Sequence, residues 1–424
     1  MPHTPAATRL VARREPRAAV RHARGLPVRS GPGPGFGAVV LACLAAVAGA
    51  PSTRGQAPSA TLTARNPVDL ARPAETLVLG AAEIRAALGV EDPRLVHVRA
   101  QGGGELLAQA IDENDDGRFD QLVFQADFEP GQARTFTLAA GGRHVYTRDQ
   151  FRAYGRFVRE RRDDFAWEND RTAHRMYGPA LETWAQEPLT SSAVDVWLKR
   201  TSRLVINDWY MVDDYHRDHG EGADFYSAGR SRGCGGSGVW ENGRLYPSAN
   251  FRDSRVLANG PIRVMFELTY AAWDVAGRPV SELKRITLDA GQSLSRFESR
   301  YTVAPGTPLQ HAAGIKLHPQ ATKAFSKASG ILRTWEPVKD NGAFGCGVIV
   351  DPSGVVDTAE AEGNVLVVVA PPPAGPAVHH AGAAWDRGGH VPDVAAWDRY
   401  LDAAARRLRA PVELSITPGA ATGR

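Results

Sequence analysis

The sequence predicts a mainly β protein: a large antiparallel β-sandwich with a small N-terminal β unit and one C-terminal helix. Three observations carry that expectation. Ile262, Val264, Phe266, Leu268 and Tyr270 fall on one face of a period-two run, with Arg263, Glu267 and Thr269 on the other. Phe297, Ser299, Tyr301 and Val303 alternate with Glu298, Arg300 and Thr302 in the same way. Further runs of strand length at 281–288, 311–317, 347–350, 365–369 and 412–416 are joined by Gly- and Pro-marked turns, which favour hairpins over parallel crossovers.

Taken from its start, the 424-residue chain first shows a leader. Residues 9–29 are basic and 36–50 are apolar, ending on small residues at Ala48 and Ala50, the pattern of a cleaved secretory signal over residues 1–50. The apolar run is too short to span a bilayer comfortably, so the expected product is periplasmic or secreted, with no membrane partner after cleavage. Of 50 lysines and arginines against 47 acids, seven arginines and one acid lie in residues 1–50, and the remainder carries a net −3. That balance offers no electrostatic footprint for nucleic acid. Beyond the leader, Cys234 and Cys346 both lie in Gly-rich stretches; in an exported protein they can pair, or each can fill a small buried site.

Residues 51–75 read as a spacer, and 76–142 as the small β-sandwich-like unit, with strands at 76–79, 94–98, 121–128 and 134–139 and a short helix at 81–88. Inside it, Asp112, Asn114, Asp116, Gly117 and Asp120 match positions one, three, five, six and nine of a calcium loop. Position twelve is Val123 rather than an acid, so a structural Ca²⁺ and a plain acidic turn are both open readings.

The remainder, 143–424, is expected to form the large sandwich. Residues 148–166 read as a helical or irregular crossover, 163–171 as a polar loop, and 194–199 and 203–210 as strands. Then comes the most polar run of the chain, Asp213 to Tyr226, which crowds acids, histidines and tyrosines together with no apolar period and so reads as a functional loop. Gly229 to Gly238 lacks the Gly-Lys-Ser/Thr of a phosphate loop and reads as tight turns. Val394, Trp397, Leu401, Ala404 and Leu408 recur at helical spacing over 393–408.

Four motifs resemble one family: Asp164-x-x-Trp167-Glu168-Asn169-Asp170-Arg171, Arg175-Met176-Tyr177-Gly178-Pro179, Tyr215-His216-x-Asp218-x-Gly220-Glu221-Gly222-x-Asp224, and Asn259-Gly260-Pro261-Ile262-Arg263. They are similar to the bacterial domain of unknown function 4861, from about residue 60 to the C-terminus. The resemblance implies an exported protein that accompanies uronate-polysaccharide breakdown, on a galactose-mutarotase-like supersandwich. The substrate class so implied is an acidic oligosaccharide or polysaccharide.

The residues offer chemistry for it. β-Elimination needs a cation for the uronate carboxylate, a base for the C5 proton and an acid for the leaving oxygen. Arg175, Lys199 or Arg232 could supply the first, His216 or Tyr215 the second, Tyr177 or Tyr226 the third. Hydrolysis would use two facing carboxylates among Glu168, Asp170, Glu221 and Asp224. Trp167 and Tyr226 are among the aromatics that could stack on sugar, and Arg171 could grip an acid group. Asp218, Glu221 and Asp224 could instead hold a Ca²⁺, while His216 and His219 lack the helical glutamate of a zinc protease. The alternatives of other classes are a non-catalytic glycan-binding protein and a sugar epimerase or mutarotase. Equally, Asp163, Glu168, Asp170 and Arg171 could form only a buried ion-pair network.

Overall fold

The computed structural model describes residues 58–186, 188–212 and 214–419. The leader reading of residues 1–50 and the loop residue Asp213 lie outside them. Every strand-to-strand ladder among the described residues is antiparallel.

The N-terminal unit is a sandwich of a five-stranded and a three-stranded sheet. Strand Gln121–Phe128 alternates so that Leu122, Phe124 and Ala126 turn inward, where they meet Leu62, Phe136 and Leu138 and the helix Ala81–Leu88 through Ile84 and Leu88. Residues 59–65 are a correction: within the expected spacer, Ser59–Arg65 forms a strand. Its Ala60, Leu62 and Ala64 are buried at alternate positions, and it lies between Ala133–Ala140 and the last strand, Glu413–Pro418. Composition alone made this segment look like linker. Two of its three inward positions are alanines, which leaves Leu62 alone too weak a signal of a buried face.

The large unit sets an eight-stranded sheet against two five-stranded ones. Phe266, Ile286 and Phe297 of the eight-stranded sheet pack with Phe165 and Trp167 of one partner sheet and with Ala313, Ile315 and Val367 of the other. Both long period-two runs are strands, Arg263–Val275 and Leu294–Thr302. Helix Val394–Arg409 lays Trp397, Leu401, Ala404 and Ala405 on the far side of the eight-stranded sheet. Cys234 and Cys346 are joined as a disulfide between strands Cys234–Glu241 and Ala343–Ile349, which tie two facing sheets. Asn259-Gly260-Pro261 turns one hairpin: Gly260 has φ +65°, and a Cβ there would lie 2.4 Å from the Phe151 ring. Asn259 brackets Gly155 at 3.0 and 2.9 Å, so this motif docks one sheet on another.

Three local expectations are corrected. The crossover at 148–166 contains strand Ala153–Val158, and the polar run at 163–171 is strand Asp164–Asn169, buried at every position. Its charges are hidden because cations on neighbouring strands meet them. Residues 206–210 are a short helix rather than strand, since the Glu168 carboxylate accepts from the amides of Val205 and Ile206, both at 2.8 Å, and caps it from outside.

Candidate functional site

Strands Thr172–Met176 and Asp195–Lys199 run antiparallel with Arg175 directly opposite Asp195. Arg175 is 4 % exposed, and its guanidinium is ringed by acids. Nε donates to Asp195 Oδ2 at 2.8 Å, Nη2 to Asp224 Oδ2 at 3.0 Å, and Nη1 stands 3.6 Å from Asp164 Oδ2. Burial works against the charge on Arg175, yet Asp195, Asp224 and Asp164 together hold it well above its ordinary range. Burial also pushes Asp164 up to about 7, with Arg175 and Arg161 acting against it. Tyr177 donates to Asp195 Oδ2 at 3.2 Å. Tyr215 accepts from Arg161 Nε at 2.6 Å and from Arg175 Nη1 at 3.2 Å, and stacks on Trp197, so it buttresses the cluster.

Arg175, Tyr177, Asp195 and Asp224 border a cleft of about 540 Å³. His216 and Tyr226 from the loop also line it, as do Lys316, His318, Glu336, Lys339 and Asn341. His216 Nδ1 lies 2.9 Å from the Asp224 carbonyl, which can only accept. Nδ1 therefore carries a hydrogen, which leaves Nε2 as the nitrogen that faces other partners and that can act as base in the neutral ring. Tyr226 is 7 % exposed, and its hydroxyl finds no hydrogen-bond partner among the described residues. Burial, then the charges of Glu336 and Asp195, hold its phenol well above its usual range and keep it protonated. Glu336 is pushed up to about 7 by burial, against the pull of Lys316, and has His318 Nδ1 at 3.7 Å from Oε2.

The structure thus brings together Arg175, Tyr177, His216, Asp224 and Tyr226, and corrects the rest of the expected set. Trp167 is wholly buried, donates to Ser295 Oγ at 3.0 Å and stacks on His174, so it offers no sugar platform. Glu168 and Lys199 form a buried pair at 2.7 Å that serves the helix cap. Arg232 is 1 % exposed and donates to Ser191 and Ser192 hydroxyls, both at 3.0 Å, away from the cleft. Asp170 accepts from the Gly291 amide at 2.6 Å and so ties its turn to a distant one, while the Arg171 amide donates to Asn169 Oδ1 and closes the turn itself. Glu221 is held by Arg203 at 2.9 and 2.8 Å and faces a separate hollow of about 350 Å³, which Tyr215 also lines. A calcium set of Asp218, Glu221 and Asp224 does not form, because each is paired with a different arginine: Arg200, Arg203 and Arg175.

In the Asp112–Asp120 loop, Asp112 accepts from the amides of Asn114, Asp115, Asp116 and Gly117 at 2.7–3.3 Å. Asn114, Asp116 and Asp120 accept from further loop amides at 2.8–2.9 Å. Val123, at the twelfth position, is buried in the sheet, so no acid stands there.

Sequence reasoning missed Asp195, Lys316, Glu336, Lys339 and Asn341. Asp195 carried a signal, an acid among apolar residues on an alternating strand. The others come from the ends of two strands, Gln310–Lys316 and Ile331–Pro337, and the turn after the second, some hundred residues further on, with no local pattern.

The Glu168 contacts yield a prediction. Glu168→Gln replaces a carboxylate that takes three donors by an amide that must turn an NH₂ toward one of them. It should lower stability by about 2–4 kcal/mol in urea denaturation while leaving activity at low temperature near wild type. A loss of activity at unchanged stability would return Glu168 to the chemistry.

The "Domain of unknown function (DUF4861)" family matches residues 64–414. The uncharacterized protein P7 of Formosa agariphila is 34% identical over 373 residues, covering 84% of this chain and 93% of that protein. Two solved structures from Enterococcus faecalis align over 85% of this chain. One is an alpha-mannosidase (TM-score 0.47, 9% identity) and the other a protein in glycosyl hydrolase family 38 (TM-score 0.46, 10% identity). This chain spans 46% and 47% of their lengths, just under half of each. The family match takes in both strands of the Arg175–Asp195 pair and every named residue of the cleft, and with it the chain belongs to the DUF4861 family.

Proposed function

We propose that this protein is an exported enzyme that cleaves a uronate-containing glycan by β-elimination, with the cleft around Tyr226 as its active site. The observation that carries the reading is Tyr226, whose hydroxyl is buried and has no hydrogen-bond partner among the described residues, on the wall of the same cleft that His216 lines. His216 Nε2 takes the C5 proton, the C4–O bond breaks as C4=C5 forms, and the Tyr226 hydroxyl protonates the leaving oxygen. Lys316 and Lys339 supply positive charge for the uronate carboxylate, whose neutralisation makes C5 acidic. Arg175 anchors Asp224, whose carbonyl orients His216.

Hydrolysis is less well supported. Glu336 has the raised pKa of a general acid, but Asp195 and Asp224, the other carboxylates lining the cleft, are both bonded to Arg175. The uronate class rests on what the resemblance to this family implies, and the Cys234–Cys346 disulfide supports export to an oxidising compartment.

The test is incubation of the purified protein with pectic, ulvan-like and glucuronan oligosaccharides, with and without divalent cations, while ultraviolet absorbance and reducing ends are followed. Absorbance of an unsaturated product rising together with reducing ends is expected. Reducing ends without absorbance would mean hydrolysis, and binding without product on every substrate would make the protein a glycan binder.

A further inference from the structure

Outside the cleft, three side chains of metal-ligating type meet on the N-terminal sheet. His97 stands on strand Val96–Ala100, Glu105 on the neighbouring strand Glu105–Leu106, and His144 on the segment that follows strand Ala133–Ala140. Each offers a ligand atom within 4.8 Å of those of the other two. Both imidazoles are fixed in the same sense. His97 Nε2 lies 2.8 Å from the Gly142 carbonyl, and His144 Nε2 lies 2.8 Å from the Val96 carbonyl. A carbonyl can only accept, so each Nε2 carries the hydrogen and each Nδ1 is the atom left for other work. A ring N–H held by a backbone carbonyl is how metal-ligating histidines are oriented.

The third group is already in place. Glu105 Oε1 lies 2.6 Å from His97 Nδ1, while Arg99 stands 3.8 Å from the other carboxylate oxygen, Oε2. Gly141 belongs to the arrangement as well, because a Cβ there would lie 2.5 Å from His97 Cδ2 and push the ring aside. None of this serves the hydrophobic core, since His97 and Glu105 keep 20% and 41% of their side chains exposed.

We propose that His97, His144 and Glu105 form a binding site for a divalent transition-metal ion of the zinc class. Two imidazoles and one carboxylate suit such an ion far better than Ca²⁺ or Mg²⁺, which take oxygen ligands. The ion replaces the proton shared between His97 Nδ1 and Glu105 Oε1, so each ion bound releases that proton. Two ligands on a tetrahedral Zn²⁺ stand about 3.3 Å apart, so the 2.6 Å His97–Glu105 gap opens by under an ångström while the wider separations, up to 4.8 Å, close by up to about 1.5 Å. A fourth position faces solvent. Arg99 and the adjacent Arg143 lower the affinity without blocking Oε1. The ion would clasp residues 141–147, by which the chain leaves the N-terminal sheet, onto strand Val96–Ala100.

The test uses the untagged full chain, stripped with chelator and titrated with Zn²⁺ by calorimetry at neutral pH. One equivalent bound is expected, with a Zn²⁺-dependent rise in Tm and a four-coordinate visible spectrum when Co²⁺ is used instead. His97→Ala and His144→Ala should each weaken binding by about ten-fold or more and abolish the Tm rise, whereas His219→Ala, on the exposed loop, should change neither. If His97→Ala does not fold, His144→Ala and Glu105→Gln decide. Absence of saturable binding by the wild-type chain, or unchanged affinity in the folded variants, would overturn the assignment.

Discussion

Replacing Arg175 by Met should lower folding stability by about 3–5 kcal/mol, the cost of leaving buried charges without their partner. Methionine keeps the length and the apolar stem but removes the one cation that touches Asp195, Asp224 and Asp164 together. The deficit should also depend on pH in a definite sense. Burial pushes Asp164 up to about 7 even with Arg175 present, against 3.8 for an ordinary aspartate, and without Arg175 nothing offsets that burial at Asp164 as strongly. From about pH 4 to 7 wild type and variant both retain the Asp164 proton and lose stability alike, but above about 7 the wild type ionises Asp164 beside Arg175 while the folded variant still holds the proton, so the deficit of the variant widens there. Urea midpoints should therefore differ from wild type less at about pH 5 than at about pH 8. Equal deficits at both would mean that the acids are not held by Arg175. Arg175→Lys should rescue little, because a single ammonium cannot reach the positions served by Nε, Nη1 and Nη2.

Tyr226→Phe should have the opposite profile. The substitution removes a hydroxyl that is buried without a partner, so stability should stay level or rise by up to about 1–3 kcal/mol, the penalty of a buried unsatisfied group. Turnover of the cleaved oligosaccharide should fall by about 10²–10⁴-fold with KM little changed, as for loss of a general acid. Equilibrium denaturation and initial rates on the same preparation separate the two effects. A destabilised Tyr226→Phe protein of normal turnover would assign the hydroxyl to structure and remove Tyr226 from the chemistry.

The β architecture was legible because long strands with one buried face write their period into the sequence, as 262–270 and 297–303 do. Strands buried on both faces do not. Asp164–Asn169 carries two acids and an asparagine at buried positions, and tertiary partners, Arg175 and Lys199 among them, make that tolerable. The run around His216 did hold half of the site, and the cleft took His216, Asp224 and Tyr226 from it. The same run contributed Glu221 to a surface pair with Arg203, because neighbours in a loop need not face the same way. Lys316, Glu336 and Lys339 had no local signature. They come from two strand ends and a turn that only the sheet order brings to the cleft, and sequence spacing carries no information about sheet order.

Strand Ser59–Arg65 is paired on one side with Glu413–Pro418, and the buried Arg72 donates to the carbonyl of Ala410. The first and last strands of the described chain are thus neighbours, and the N-terminal sandwich is not a unit that can finish by itself. As the chain emerges in order from ribosome or translocon, Ser59–Arg65 waits with one edge open until some three hundred and fifty residues later its partner arrives. The small sandwich, first in sequence, is therefore among the last parts to be completed, a long-range closure of the kind that slows folding. Truncation before residue 413 leaves that edge bare and ready to pair with another copy.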